Sequence, residues 1–244
     1  LLDWKILSIH QILKKNYTVI FMEEHQTNFR YERKYIVTQN RLPKLLFELY
    51  SNNFFKMFPE RKINNLYYDD FNLTSLNNNV EGLSSRKKYR IRWYGETFVA
   101  SKKVIEIKIK EEFLNTKKRL NIGIHNLKNT SSINDFHQNI LNYLISKKEY
   151  IFHTTFSCKR PTLINEYNRD YFFSRKNNIR VTIDNKLKYF SPITKLKYSE
   201  KYIIVEVKYD KNSDFINLFQ NLKLTRYSKY AKGTIQTSSY SPNY

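Results

Sequence analysis

The sequence predicts an α+β fold in which several strands turn a charged face to the same side of one sheet. Glu-x-Lys recurs at Glu32/Lys34, Glu106/Lys108 and Glu206/Lys208, each flanked by aromatic or β-branched residues, and Arg90-Ile91-Arg92 repeats the spacing with two cations. Side chains two apart on a strand share a face, so the opposite faces read Ile105/Ile107/Ile109, Val205/Val207 and Ile91/Trp93. Elsewhere apolar residues fall at helical spacing, as at Ile133, Phe136, Ile140, Leu141 and Leu144. Charged faces on many strands exclude a dry core on that side, because unpaired buried charge is very costly. That side either opens to bulk water or lines a wet tunnel.

Each element can be justified in order. Leu2, Ile6, Ile9 and Leu13, widened by Trp4, Leu7 and Ile12, form an amphipathic stripe. It reads as a helix covering the sheet's apolar face, with membrane-surface docking as the competing use. This helix and a linker occupy residues 1–24; the main domain is expected over 25–236 and a flexible polar tail over 237–244. A strand from Phe29 to Val37 places Arg30, Glu32 and Lys34 on one face. Pro43, suited to a first turn, opens a helix reaching about Phe54. Asn64 to Asp70 is a second strand, followed by a polar loop through Asn77, Asn78 and Asn79 to Gly82. Arg86 to Tyr94 and Lys103 to Lys110 read as a hairpin about Gly95. Asn134 and Asp135 suit the capping of the next helix. Strands follow at Thr162 to Tyr167, Ile179 to Leu187 and Lys201 to Tyr209, then a helix from Ser213 to Leu222.

Composition narrows the function. Lys and Arg number 43 against 22 Asp and Glu, a net charge of +21, which attracts nucleic acid, acidic membranes or phosphorylated small molecules. A Lys-, Asn-, Ile- and Tyr-rich composition accounts for part of that excess. Glycine occurs only at 82, 95, 123 and 233, which excludes a Walker A loop and a dinucleotide fingerprint. Phosphate must therefore be held by side chains. The single cysteine, Cys158, excludes an internal disulfide, argues against a cysteine metal site and fits a reducing compartment. No run approaches the roughly 18 apolar residues of a membrane span, so the expected location is the cytoplasm or the cytoplasmic face of a membrane.

The candidate site residues follow from the strand faces. Arg90 and Arg92 project together and suit bidentate hydrogen bonds to phosphate oxygens. Glu206, Lys208 and Asp210 share a face, and a carboxylate among cations suits Mg²⁺ or Mn²⁺ shared with phosphate. Arg180, Thr182 and Asp184 repeat the design, and Arg169 sits among aromatic residues able to hold its guanidinium still. Each strand alone is equally compatible with a solvated face or a weak ion pair; their combination favours a site. Nucleic acid is the weakest partner, since the interleaved carboxylates repel a phosphate backbone unless metal is present.

In order, RYERKY (30–35), KYRIRWYG (88–95), Glu106-x-Lys108, TKKRL (116–120), YNR (167–169), IRVTIDNKL (179–187), VEVK (205–208) and RYSKY (226–230) resemble the polyphosphate polymerase (VTC) domain of the vacuolar transporter chaperone family, in the triphosphate tunnel metalloenzyme superfamily. The resemblance implies an antiparallel β-barrel tunnel with helices packed outside and charged residues within. It implies transfer of the ATP γ-phosphate to a growing inorganic polyphosphate chain, assisted by a divalent metal, Mn²⁺ or Mg²⁺. Carried across by motif, the phosphate ligands are Lys34, Arg90, Arg92, Lys108, Lys117, Arg169, Arg180, Arg226 and Lys229, with Lys208 beside them and Glu206 as metal ligand. Lys117 and Lys118 can exchange roles, and Glu32 and Glu106 are expected to orient neighbouring lysines. The hydrolytic branches begin with Glu-x-Glu-x-Lys, whereas Arg30 replaces the first Glu here, as in the polymerase branch. A polyphosphate or nucleotide sensor without turnover and a triphosphatase are the alternatives. Eukaryotic relatives add an inositol-phosphate-sensing domain and membrane helices, neither legible in this chain; the expectation is an excised or stand-alone domain, with a membrane-associated partner possible and the oligomeric state open.

Overall fold

The computed structural model describes residues 31–96, 101–112, 114–125, 132–176, 178–210, 219 and 221–238. The elements run β1 (Tyr31–Val37), α1 (Leu42–Ser51), β2 (Phe55–Asp69), α2 (Thr74–Val80), β3 (Arg86–Tyr94), β4 (Ser101–Glu111), β5 (Leu114–His125), α3 (Ile133–Ser146) and α4 (Tyr150–Ser157). They continue with β6 (Arg160–Ser174), β7 (Ile179–Phe190), β8 (Lys197–Ser199), β9 (Ile203–Tyr209), β10 (Lys223–Thr225) and α5 (Lys229–Gln236). All ten strands join one antiparallel sheet, ordered β10-β1-β9-β7-β6-β2-β3-β4-β5 with β8 against β7.

Period-two alternation gives the sheet one apolar side, where α1, α3 and α4 lie. Tyr35, Val37, Val181, Ile183, Val205 and Val207 pack with Leu45 and Leu49 of α1. Leu66, Ile91, Trp93, Ile105 and Ile107 pack with Phe136, Ile140 and Leu144 of α3 and Phe156 of α4. Burying each such side chain contributes about 1.5–3 kcal/mol.

The other side is charged, and the sheet curls around it. Strands β1 and β4 stand six places apart in the order, about 29 Å if the sheet were flat. Yet Lys108 of β4 lies in the electrostatic field of Glu32 and Lys34 of β1 and of Glu206 and Lys208 of β9. Lys88 of β3 also donates to Ser228 Oγ, at the start of α5, over 3.0 Å. Only a strongly bent sheet brings these ends together. Strand pairing does not close the ring among the described residues: β5 and β10 are the edges, and β10 has three residues, all paired to β1.

Helix α5 sits on the charged side. Tyr67, which pairs with Arg90 and so shares its face, stacks on Tyr230 at 5.1 Å. Around them Ile63, Leu163, Tyr167, Leu187, Tyr189, Ile204 and Tyr227 make a third apolar cluster. The side is thus part apolar, beneath α5, and part charged, around the start of α5.

Several expectations are corrected. Where the sequence reads as a polar loop, α2 forms because Asp69 accepts from Ser75 N and Leu76 N, each at 3.0 Å, and Asp70 from Thr74 N at 2.9 Å. These bonds satisfy amides that a helix start leaves open. Strand β5 carries no apolar alternation across Thr116-Lys117-Lys118-Arg119 and forms by pairing with β4. Helices α4 and α5 were not expected, β2 and β6 extend well beyond the strands read from sequence, and α3 is capped by Ser132 Oγ, which accepts from Asp135 N, rather than by Asn134 or Asp135. Thr237 is not frayed: it is buried, donates through Oγ1 to Gly233 O at 2.8 Å, and its carbonyl accepts from Thr194 Oγ1. The expected helices at 2–13 and 213–222, residue Arg30 and the rest of the tail lie outside the described residues, apart from 219, 221, 222 and 238.

Candidate active site

Three carboxylate nodes organise the charged side. The first is Glu106, whose side chain is 3% exposed. Arg90 reaches it with Nε at 2.7 Å and Nη2 at 2.5 Å, and Arg119 donates Nε to its other oxygen at 2.9 Å. Burial pushes the Glu106 carboxyl up, but Arg90, Arg92 and Lys117 outweigh it and hold it at about 2. Glu106 therefore orients arginines, where lysines were expected. Arg92 is fixed separately, donating Nε to Asn65 Oδ1 at 2.9 Å.

Asp184, fully buried, is the second node. Arg169 grips it with Nε to Oδ1 at 2.5 Å and Nη2 to Oδ2 at 2.7 Å, and Lys229 at the start of α5 contacts Oδ2. Burial alone would raise this carboxyl; Arg169 and Lys229 hold it low. The guanidinium of Arg169 lies over Tyr167 at 5.3 Å and Tyr171 at 5.8 Å, and Lys229 lies over Tyr167 at 4.7 Å. The aromatic neighbours expected to steady Arg169 do so.

The third node is a square of two carboxylates and two ammoniums. Lys34 meets Glu32 at 2.9 Å and Glu206 at 3.9 Å; Lys208 meets Glu206 at 2.9 Å and Glu32 at 3.6 Å. Glu32 orients lysines as expected. Burial opposes the charge on Glu206, but Lys208, Lys34, Arg169 and Lys229 keep it well below the usual carboxylate range.

On β3 and β4, facing this square, lie Lys88 and Lys108. Burial and the surrounding Lys34, Lys108, Arg86 and Arg90 bring the Lys88 ammonium down to about 7. Burial likewise lowers Lys108, with Lys34 and Lys208 opposing its charge and Glu32 and Glu206 supporting it. The sequence places Asp184 on one face with Arg180 and Thr182 but assigns it no role, and it leaves Lys88 and Arg119 out of the ligand set although each sits two residues from a chosen cation on the same face. Period two, carried one step beyond Arg90 and Lys117, finds both cations.

The remaining expected residues are placed as follows. Lys117 pairs with Lys108, and Lys118 with Ile107, so Lys117 is on the charged face and Lys118 on the other. The Lys117 side chain reaches solvent, yet burial of its surroundings and the cations Arg119, Arg90 and Arg92 hold it at about 8 against the pull of Glu106. Arg180 is exposed and pairs with Lys208, at the outer end of the same face. Arg226 is exposed just after β10. The structure brings Lys34, Arg90, Arg92, Lys108, Arg169, Lys208, Lys229 and Glu206 together; Arg180, Lys117 and Arg226 lie toward the periphery.

A divalent metal can be tested against these residues. No group of three or more His, Cys, Asp or Glu is placed to hold one among the described residues. Glu206 is an ionised oxygen donor, and Thr182, its cross-strand partner, has a buried Oγ1 with no hydrogen-bond partner among the described residues. One carboxylate and a hydroxyl suit a hard cation that takes its remaining oxygens from phosphate and water, the habit of Mg²⁺ and its relatives.

A bent antiparallel sheet gathers arginines and lysines on one side, with Arg90 and Arg119 steadied by Glu106, Arg169 and Lys229 by Asp184 and Arg92 by Asn65, an arrangement chemically suited to oxyanions. The chain belongs to the VTC-domain family, the VTC domain matching residues 29–237. Similar solved structures include a proposed adenylate cyclase from Vibrio parahaemolyticus, 13% identical over 84% of this chain and 97% of that one, with a TM-score of 0.47. Others are a proposed adenylyl cyclase from Hippeastrum, described as having a dominant triphosphatase activity (11%, 82% and 92%, TM-score 0.45), and a proposed adenylate cyclase from Bacillus halodurans (11%, 85% and 88%, TM-score 0.37). No curated protein matches the chain. No helix among the described residues is long and apolar enough to cross a membrane.

Proposed function

We propose that this chain is a polyphosphate polymerase, transferring the γ-phosphoryl group of ATP to the end of an inorganic polyphosphate chain in a tunnel closed by side chains across the β5 and β10 edges. The observation that carries it is the gathering of Lys34, Lys88, Arg90, Arg92, Lys108, Arg169 and Lys229 about Glu206 on one face, in a chain of the VTC-domain family.

The reaction needs little from the protein beyond placement. A terminal phosphate oxygen of polyphosphate attacks the γ-phosphorus; the bond from that phosphorus to the β,γ-bridging oxygen breaks, and ADP leaves with the electron pair. The nucleophile is already an anion, so no side chain has to take a proton. Arg90, Arg92 and Arg169 are held by Glu106, Asn65 and Asp184 before substrate arrives, so they meet non-bridging oxygens without reorganising, which is how fixed charges lower such barriers. Lys34, Lys88, Lys108, Lys208 and Lys229 neutralise the neighbouring phosphates. Mn²⁺ or Mg²⁺ held by Glu206 supplies further charge neutralisation at the phosphates.

The test is to incubate the chain with ATP and Mn²⁺ and measure ADP, orthophosphate and long-chain polyphosphate together. ADP matched by polymer is expected. ADP matched by orthophosphate would make it a hydrolase, and tight polyphosphate binding without ADP a sensor.

A further inference from the structure

At one end of the charged side the lining changes from charged to aromatic. Strand β3 carries Lys88, Arg90, Arg92 and Tyr94 on one face, so Tyr94 stands about 7 Å beyond Arg92 and about 20 Å from Lys88. Arg61 of β2 lies beside it, and across β2 comes Tyr171 of β6, two residues beyond Arg169. The guanidinium of Arg61 stacks over Phe58 at 4.4 Å and lies 6.0 Å from the Tyr94 ring and 5.8 Å from the Tyr171 ring. Phe58 and Tyr171 meet edge to face at 5.7 Å. Tyr171 also feels the charges of Arg169 and Arg92, so the aromatic group adjoins the arginine clamp.

Two of these rings are open to solvent, Phe58 at 40% and Tyr94 at 45% exposed, and Tyr171 is half-buried beside them. Polyphosphate offers nothing to an aromatic face. The flat, π-rich part of ATP is its base, and bases stack on aromatic rings and arginine planes.

We infer that Phe58, Arg61, Tyr94 and Tyr171 form a nucleobase subsite at this mouth, receiving the adenine of ATP while its phosphates point inward to Arg92 and Arg169. The inference rests on the proposed nucleotide-dependent function and adds a direction to it. Nucleotide enters and ADP leaves at the aromatic mouth, and the polymer extends away from it, past Lys34, Lys88 and Lys108.

The test compares ATP with tripolyphosphate, which has the phosphates and no base. Calorimetry on the full chain, wild type and the double variant Phe58→Ala/Tyr94→Ala, gives both dissociation constants. Stacking of one base is worth a change of about five- to a hundredfold. The double variant is expected to lose that factor for ATP and keep its tripolyphosphate affinity within about twofold. The conservative Phe58→Tyr should retain the preference for ATP, and Phe58→Trp should give a fluorescence signal quenched by ATP and not by tripolyphosphate. If the double variant weakens both ligands equally, or neither, the subsite is wrong while the phosphate site stands. Wild-type chain that binds tripolyphosphate but shows no gain from the base overturns the subsite in the same way. Failure to bind either ligand would sink the subsite and the proposed function together.

Discussion

Asp184→Asn is the sharpest structural test of the site. The carboxylate is fully buried, with one oxygen on Arg169 Nε at 2.5 Å and the other shared by Arg169 Nη2 at 2.7 Å and Lys229. The amide cannot balance two nearly buried cations and turns one acceptor into a donor facing them. Removing one partner of a buried ion pair costs about 3–5 kcal/mol. Glu206 also sits in the field of Arg169 and Lys229 and compensates in part, which places the expected loss near the lower figure, about 3 kcal/mol. For a chain of this size that corresponds to a fall in Tm of about 6–12 °C, readable by circular dichroism, with urea midpoints at constant slope as the check. The pH dependence has a definite sign. Because Asp184 is held below its ordinary value, near 3.9, its contribution is full above that value and disappears as pH falls through the depressed one. The gap between wild type and variant should therefore persist from pH 5 to 8 and narrow only in strong acid. A shift under about 2 °C at neutral pH would refute the view that this carboxylate carries the Arg169 and Lys229 geometry.

Three further outcomes are expected. Arg92→Ala should lower turnover by about ten- to a thousandfold, the scale of a single charge-stabilising donor, in the ADP-release assay; Arg92→Lys should not restore it, because the planar fork is lost. Stability should fall by no more than about 1–3 kcal/mol, the cost of leaving the buried Asn65 oxygen unpaired. Lys88, held at about 7, loses its charge as pH rises from 6 to 8, so tripolyphosphate affinity should drop more steeply over that range in wild type than in Lys88→Met; parallel profiles by calorimetry would refute this. In Gly233→Ala the new Cβ would lie 2.3 Å from Tyr189 Cδ1 and 2.7 Å from Leu163 Cδ2. Displacing α5 from that ring should cost about 1–3 kcal/mol, seen as a Tm lowered by several degrees.

Strand faces were legible because period two survives any tertiary arrangement. Alternation at 88–94, 104–110, 179–184 and 203–208 identified which residues share a side, and the pairing of Arg90 with Glu106, Lys34 with Glu206 and Arg180 with Lys208 confirms it. What escaped lacks a local signal. Strand β5 runs through four polar residues and depends on β4 for its pairing. Helix α2 depends on Asp69, whose carboxylate also accepts from Tyr230 at 2.6 Å, 161 residues away. No window of sequence contains such a bond. The bend of the sheet was the least legible feature, since alternation fixes faces and not curvature, and no strand pairs β5 with β10 among the described residues.

The carboxylates explain why so basic a site can fold at all. A cluster of Lys34, Lys88, Arg90, Arg92, Lys108, Arg169 and Lys229 without counter-charge would repel itself strongly in partly buried surroundings. Each carboxylate node instead serves two or more cations: Glu106 holds Arg90 and Arg119, Asp184 holds Arg169 and Lys229, and Glu32 with Glu206 holds Lys34 and Lys208. Lys88 stands outside these nodes. Its hydrogen-bond partner is the Ser228 hydroxyl, and burial together with four facing cations weakens its ammonium to about 7. The cations outnumber the carboxylates, so under the proposed function each phosphate that enters would relieve repulsion already built into the fold. Binding energy for the proposed polyanion would then be stored in the folded chain, with Arg90, Arg92 and Arg169 already oriented.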